Sequence, residues 1–297
     1  VKRILIAKSA GFCFGVKRAI SIADETAGKA QEPAAGEEGP IQSLGPIIHN
    51  PQAVERLEKK GVRVVGGVDE ISCGKAIIRS HGVTRSDRSA LERKGITIID
   101  ATCPFVAKAQ DHARTLSREG YAVMVVGDPK HPEVKSIISY IDPGVPVITS
   151  IPEMKKAKGV RKAGIVAQTT QSFDNLMAFV TEAMKRFPEV RVFNTICNAT
   201  TLRQEESTRL SGKADAMFIL GGYNSANTRR LAEICRAINP RTHHIEAAAE
   251  MTPEMVRGAA IVGVTAGAST PQWIIDGFVE RLKGIWDGER IEVSFYQ

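Results

Sequence analysis

Ile96-Thr97-Ile98-Ile99-Asp100-Ala101-Thr102-Cys103-Pro104 is the stretch on which the fold turns. It opens with β-branched residues suited to a buried strand and closes with a cysteine followed by proline, a residue suited to the first position of a helix. Beyond it Val106, Ala109, Ala113 and Leu116 recur at steps of three and four, the period of a helix with one apolar face. The same succession occurs twice more. Arg3-Ile4-Leu5-Ile6-Ala7 leads to Gly11-Phe12-Cys13 and to Val16, Ala19, Ile20 and Ala23 at helical spacing, and Val190-Arg191-Val192-Phe193 leads to Asn194-Thr195-Ile196-Cys197. The third helix is less amphipathic, and Thr201-Leu202-Arg203-Gln204 predicts its capping box. The cysteines are separated by 90 and 94 residues, so the chain reads as a threefold repeat.

Two further strand-to-helix junctions recur in each third. One carries Gly45-Pro46-Ile47-Ile48-His49-Asn50, Gly127-Asp128-Pro129-Lys130-His131-Pro132 and Gly221-Gly222-Tyr223-Asn224-Ser225. The other follows Ala76-Ile77-Ile78, Gly164-Ile165-Val166-Ala167 and Ile261-Val262-Gly263-Val264, and carries Ser80-His81-Gly82, Gln168-Thr169-Thr170 and Ala268-Ser269-Thr270. The first third is longer, and a loop over 28–40 rich in Gly, Pro, Glu and Ala accounts for the excess. Strands alternating with helices at this spacing predict parallel α/β units, in which ligand groups gather beyond the carboxyl ends of the strands. The expected architecture is α/β: three small parallel-sheet domains related by pseudo-threefold symmetry, with their functional edges facing a common centre. The expected divisions are 1–102, 103–195 and 196–285, followed by a tail, 286–297. Within the tail Ile291-Glu292-Val293-Ser294-Phe295 alternates like a strand able to pair with one of the domains, and the Lys-rich stretch 155–162 reads as solvated surface.

Composition excludes several classes. Of 297 residues 43% are hydrophobic, and the net charge of +7 is small for the length, which excludes a disordered chain. No apolar run approaches the roughly 18 residues that span a bilayer. Val1 to Ala7 begins like a signal peptide but Lys8 interrupts it, so the expected location is cytoplasmic. Five cysteines, odd in number and without a CxxC pair, argue against a disulfide framework. The basic excess has no accompanying aromatic-interleaved run or motif, so nucleic acid is not expected as a partner.

Three cysteines in one phase of a threefold repeat point to a shared ligand, whereas Cys73 and Cys235 fall outside that phase. Three thiolates can bind zinc or an iron–sulfur cluster, and the spacing does not choose between them. His49, His81 and His131 occupy loops where Ser225, Thr169 and Ser269 stand in the other thirds. Imidazoles and hydroxyls that exchange in this way suit an anion or a small polar substrate better than a metal. Three cysteines then leave one iron of a 4Fe-4S cluster open, which implies chemistry rather than simple electron carriage. His49 and His81 become cationic donors where an anion raises their pKa. Ser225, Asn227 and Ser269 add neutral donors beside helix amino termini, so that together these groups resemble a diphosphate cradle. Glu133, two residues past His131, is either a first-turn residue favoured by the helix dipole or a proton donor.

Gly11-Phe12-Cys13-Phe14-Gly15-Val16, His49-Asn50, Ser80-His81-Gly82-Val83, Asp100-Ala101-Thr102-Cys103-Pro104, His131-Pro132-Glu133-Val134, Gln168-Thr169-Thr170, Asn224-Ser225-Ala226-Asn227 and Thr265-Ala266-Gly267-Ala268-Ser269 resemble, in order, the motifs of the 4-hydroxy-3-methylbut-2-enyl diphosphate reductases. The resemblance runs from residue 3 to about 284. It implies one 4Fe-4S cluster per chain, held by Cys13, Cys103 and Cys197 at the centre of the three domains, with an open iron facing the substrate's allylic hydroxyl. It implies that His49, His81, Ser225, Asn227 and Ser269 hold the diphosphate, that His131 lies close to the substrate, and that Thr169 joins the hydroxyl to Glu133, the proton source. Two electrons and two protons would remove the hydroxyl as water and leave isopentenyl or dimethylallyl diphosphate, with a ferredoxin or flavodoxin supplying the electrons. Ala226 departs from the pattern, since some members carry a second serine there; a backbone N–H would replace that contact. Quinolinate synthase, also threefold with one cysteine per domain, is the nearest rival enzyme, and a non-catalytic iron–sulfur or zinc redox sensor is the rival outside enzymes. A sensor has no need of Glu133, Thr169 or the polar cradle.

Overall fold

In a computed structural model of the chain, described for residues 1–31 and 39–296, the apolar runs become strands and the three-and-four patterns become helices. The chain opens with β1 (Lys2–Ile6) and enters α1 (Phe14–Gln31) through Cys13. It continues with β2 (Ile41–Leu44), α2 (Pro51–Glu58), β3 (Val62–Val65), β4 (Lys75–Ile78), α3 (Arg85–Arg93) and β5 (Thr97–Asp100). After Cys103 come α4 (Pro104–Arg118), β6 (Ala122–Val126), α5 (Pro132–Ser139), β7 (Val147–Ile148), α6 (Ile151–Lys156), β8 (Lys162–Ala167), α7 (Phe173–Met184) and β9 (Glu189–Val192). After Cys197 come α8 (Asn198–Ser211), β10 (Ala216–Leu220), α9 (Ala226–Ile238), β11 (Thr242–Ile245), β12 (Ile261–Ala266), α10 (Gln272–Ile285) and β13 (Ile291–Phe295).

These strands form three wholly parallel sheets, ordered β3-β2-β4-β5, β7-β6-β8-β9 and β11-β10-β12-β1-β13. The third sheet takes a strand from the chain's other end. β1 occupies beside β12 the place that β5 takes beside β4 and β9 beside β8, with Arg3 opposite Ile261 and Ile6 opposite Val264. Each cysteine therefore follows the strand that flanks β4, β8 or β12 on the side away from β2, β6 or β10. The division at 1–102 is corrected on this point: residues 2–6 belong with strands 216–295, while the other sheets draw on 41–100 and 122–192. The tail is part of the same sheet, since β13 lies parallel to β1 from Lys2 opposite Ile291 to Ile6 opposite Phe295.

Two compact units result, one of Val1–Val16, His49–Ala53 and Asn198–Gln297, the other of Lys17–Ile48 and Val54–Cys197. In the first, every residue of β10 is buried. Phe218 and Leu220 pack with Ile275, Phe278 and Leu282 of α10, while Met217 and Ile219 pack on the opposite face with Leu210, Leu231 and Ala232. β6 plays the same part in the second unit. Met124 and Val126 join Leu176, Phe179 and Ala183 of α7, and Val123 and Val125 join Ala109, Ala113 and Leu116 of α4 with Val134 and Ile137 of α5. Burial on both faces is why these strands read as continuous apolar runs.

Two local expectations are corrected. Residues 28–31, expected in a loop, continue α1, and 32–38 lie outside the described residues. α8 begins at Asn198, so Thr201 lies inside the helix instead of capping it. Its weak amphipathicity has a cause: the face it buries is largely polar, with Thr200, Arg203, Glu206, Ser207 and Ser211. Among the described residues no helix is long and apolar enough to cross a membrane.

Candidate active site

In each sheet the chain departs in opposite directions from two adjacent inner strands, β2 and β4, β6 and β8, or β10 and β12. Loops diverge at such a switch point and leave a crevice beyond the carboxyl ends. The loops after these strands carry the residues singled out above. Each cysteine is tied to such a loop by its backbone. Cys13 N–H donates to Ala268 O at 3.1 Å, Cys103 N–H to Ser80 O at 2.9 Å and Cys197 N–H to Thr169 O at 3.0 Å. Ser80, Thr169 and Ala268 all stand two residues past the ends of β4, β8 and β12, so the backbone repeats in register. His81 and Ser269 come one residue later, and the equivalence of His81, Thr169 and Ser269 is corrected by that single step.

In the first unit Cys13 is half-buried and directly precedes α1. Gly11 makes the turn before it at φ +96°, a conformation that strains other L-residues. The Ser269 hydroxyl donates to His49 O at 3.1 Å and so joins the loop after β12 to residue 49. Ser225 caps α9, its Oγ accepting from Thr228 N at 3.3 Å, and Ala226 is the first helical residue. Asn227 is buried, and neither its amide oxygen nor its amide nitrogen has a hydrogen-bond partner among the described residues.

The second unit holds His81, Cys103, His131, Glu133, Thr169 and Cys197. Cys103 is the N-cap of α4, with Pro104 at the first helical position. His131 is the N-cap of α5 and accepts from Glu133 N at its Nδ1, 3.1 Å away. That bond requires Nδ1 to be unprotonated, which leaves the neutral ring's proton on Nε2. The His131 and His81 rings meet edge to face with centroids 5.4 Å apart.

Glu133 is 1% exposed. Its Oε1 accepts from Thr169 N at 2.6 Å and its Oε2 from Thr169 Oγ1 at 3.0 Å. Burial disfavours the charged carboxylate and outweighs both hydrogen bonds, so the pKa is pushed up to about 7. A carboxyl poised there can both give and regain a proton near neutrality.

Two supporting residues had no role in the sequence reading. Gln168 Oε1 accepts from Asp128 N at 3.2 Å and links the loops after β6 and β8. The Thr195 hydroxyl accepts from Ala167 N at 2.8 Å and donates to Ala167 O, steering the chain from β9 toward Cys197. Proximity to Thr169 and Cys197 was the available signal for both. Cys73 lies exposed in a loop, and Cys235 is fully buried in α9 with its thiol pushed up to about 11 by that burial.

Parallel α/β sheets, each with one cysteine beyond its carboxyl edge and a buried carboxyl beside one of them, define a class of multi-sheet α/β proteins built around cysteine-bearing junctions. The family model described as LytB protein matches residues 4–283, and the chain belongs to that family. The 4-hydroxy-3-methylbut-2-enyl diphosphate reductase of Geobacter metallireducens is 53% identical over 282 residues, covering 95% of this chain and 97% of the relative. The protein of the same name from Trichlorobacter lovleyi is 54% identical over 280 residues, covering 94% and 97%. A solved structure of (E)-4-hydroxy-3-methyl-but-2-enyl diphosphate reductase, described as the terminal enzyme of the non-mevalonate pathway, is 44% identical with a TM-score of 0.71, covering 96% of this chain and all of that one. The Plasmodium falciparum E-1-hydroxy-2-methyl-but-2-enyl-4-diphosphate reductase structure, 24% identical, shares the fold at a TM-score of 0.88 over 99% of this chain and 92% of that one.

Proposed function

We propose that the chain is an oxidoreductase that removes the allylic hydroxyl of 4-hydroxy-3-methylbut-2-enyl diphosphate. Two electrons and two protons are taken up, water leaves, and isopentenyl or dimethylallyl diphosphate remains. The observation that carries the reading is the buried Glu133–Thr169 pair, set in a chain about half identical to reductases of this name.

The donor set fits an iron–sulfur cluster. Cys13, Cys103 and Cys197 are half-buried cysteines, each directly before a helix whose first N–H groups favour an anionic sulfur. Cys235 does not fit, being sealed in the core with a raised pKa. A 4Fe-4S cluster held by the three would supply electron transfer and a Lewis-acidic iron.

The protein's own groups do the rest. In the protonated acid the 3.0 Å bond between Thr169 Oγ1 and Glu133 Oε2 reverses: Oε2 carries the proton and gives it to the Thr169 hydroxyl, which passes its own toward the departing oxygen. The Thr169 N–H fixes the other carboxyl oxygen. His131, with its proton on Nε2, is a neutral donor to the substrate. In the first unit His49, Ser225, Ala226 through its N–H, Asn227 and Ser269 bind the diphosphate, and in the second His81 does. The unpaired buried amide of Asn227 supports this assignment, because leaving both of its groups unbonded costs about 1–3 kcal/mol each. The electrons come from an acidic ferredoxin or flavodoxin, to which a chain of net charge +7 is complementary, and the enzyme works in the cytoplasm.

Anaerobic preparations are expected to be brown, to hold about four irons per chain, and to convert the hydroxylated diphosphate to the two isoprenoid diphosphates. Colourless protein with stoichiometric zinc would overturn the cluster. Glu133→Gln should retain iron and substrate binding but lose most turnover, and near-normal turnover would remove Glu133 from the reaction.

A further inference from the structure

We propose that Arg203 and Glu206 of α8 are positioning residues for Cys13, a charged pair that fixes the loop presenting this thiol. The inference rests on the reading of Cys13 as a cluster ligand. Both side chains are buried, at 3% and 8% exposure, on a helix face where apolar residues would otherwise be expected. Arg203 Nη2 donates to Ser9 O at 2.5 Å and to Gly11 O at 2.9 Å, and its Nη1 donates to Ala199 O at 3.2 Å. Glu206 accepts from Lys8 N at 2.7 Å, from Ser9 N at 2.9 Å and from the Ser9 hydroxyl. The guanidinium thus satisfies the loop's carbonyls and the carboxylate its N–H groups.

No regular structure does this for the loop. β1 ends at Ile6, and α1 begins only at Phe14. Between them the loop's own backbone supplies the Ala10 N to Ala7 O turn, and Cys13 N reaches Ala268 O. The left-handed turn at Gly11 directs its carbonyl to Arg203. Charge-assisted bonds to four backbone groups hold a loop harder than neutral ones, and they are spent here on residues two to five positions before the thiol. The equivalent approaches to Cys103 and Cys197 are held otherwise. Thr102 N donates to Asp100 Oδ1 and Ile196 N to Asn194 Oδ1, each a local turn closed by a side chain within the loop. Before Cys103 Arg18 of α1 also donates to Thr102 O at 3.0 Å and to Asp100 O at 3.4 Å, but it meets carbonyls alone; the clamp that holds both carbonyls and N–H groups from one helix belongs to Cys13.

The test compares wild type, Arg203→Ala, Arg203→Lys, Glu206→Gln and Ser9→Ala, with Arg209→Ala at an exposed position of the same helix as control. In anaerobic holoprotein the readouts are iron release to a chelator and the electron paramagnetic resonance spectrum of the reduced cluster. In the same full-length proteins freed of iron, the readout is the alkylation rate of Cys13 relative to Cys103, followed by mass spectrometry. Arg203→Ala should release iron about tenfold faster, as loss of charge-assisted bonds implies, and should raise the Cys13 to Cys103 alkylation ratio by a similar factor. Arg203→Lys and Glu206→Gln should fall between it and wild type, Ser9→Ala close to wild type, and Arg209→Ala at wild type. An unchanged ratio and unchanged release in Arg203→Ala overturn the proposal; so does an equal rise at both cysteines, which marks general loosening. Where Arg203→Ala fails to fold, Arg203→Lys and Glu206→Gln decide by the same ratio. A wild-type chain that takes up no iron sinks the cluster reading, while the alkylation ratio still judges the clamp.

Discussion

Glu133→Gln should make the protein more stable, and increasingly so as the pH rises. Glu133 has an ordinary pKa of 4.5 when unfolded and about 7 when buried in the fold. Below 4.5 both states carry the proton and the residue imposes no penalty. Between 4.5 and 7 the unfolded chain releases the proton and the folded chain keeps it, so stability falls with pH; above 7 the loss is complete. Glutamine mimics the protonated acid, since it keeps an acceptor for Thr169 N, and the Thr169 hydroxyl can turn to accept from the amide. The variant's advantage should therefore be near zero below pH 4, about 0.8 kcal/mol at pH 5 and about 3.4 kcal/mol at pH 8.5. At about 2–4 °C per kcal/mol, the gap in Tm should widen by several degrees between those two pH values. Scanning fluorimetry of both proteins, prepared alike across a buffer series, reads this directly. A gap that stays constant from pH 5 to pH 8.5 would refute the claim that burial holds this carboxyl neutral.

Thr169→Val removes the hydroxyl that helps to stabilise the carboxylate, so Glu133 should titrate higher still, and the fall of Tm with pH, which still begins near 4.5, should continue to more alkaline values. Cys13→Ser, Cys103→Ser and Cys197→Ser should each lower bound iron, measured by metal analysis, while Cys73→Ser should leave it unchanged. Gly82→Ala should destabilise the fold by about 1–3 kcal/mol, read as a lower Tm. Gly82 sits at φ +72°, and a Cβ there would lie 2.7 Å from Gln110 Nε2 and 2.8 Å from Ser136 Oγ, two groups hydrogen-bonded to each other.

Local chemistry was legible and non-local pairing was not. A strand buried on both faces must be an apolar run, and a helix leaving a junction shows its period at once, so Ile96–Pro104 and its two counterparts could be read without a structure. Nothing within residues 1–16 says that Ile4 lies against Val262, because parallel partners meet only after a crossover that can be any length. The cuts at 102 and 195 fall just after β5 and β9, the last strands of their sheets, and the strand misassigned is β1, which lies beside β12 from the chain's other end. Arg203 and Glu206 were hidden for a related reason. Charged residues on a helix without an apolar stripe read as solvated, whereas here they are buried against the backbone of residues 8–11.

Glu133 shows how far a residue's chemistry depends on that missing third dimension. Its place in the first turn of α5 is legible, and the helix dipole there favours a carboxylate, which argues for a lowered pKa. The two bonds from Thr169 act in the same direction. Burial reverses the sign. Val134 and Ile137 of α5 join the core formed with β6, and Thr169, just past β8, seats the carboxyl beside that core. A solvent-exposed Glu at the same helical position would be ionised at neutral pH and could give no proton. The proton donor is made by packing α5 against β6 and β8, so it should be lost from variants that loosen that core even where Glu133, Thr169 and all three cysteines are intact.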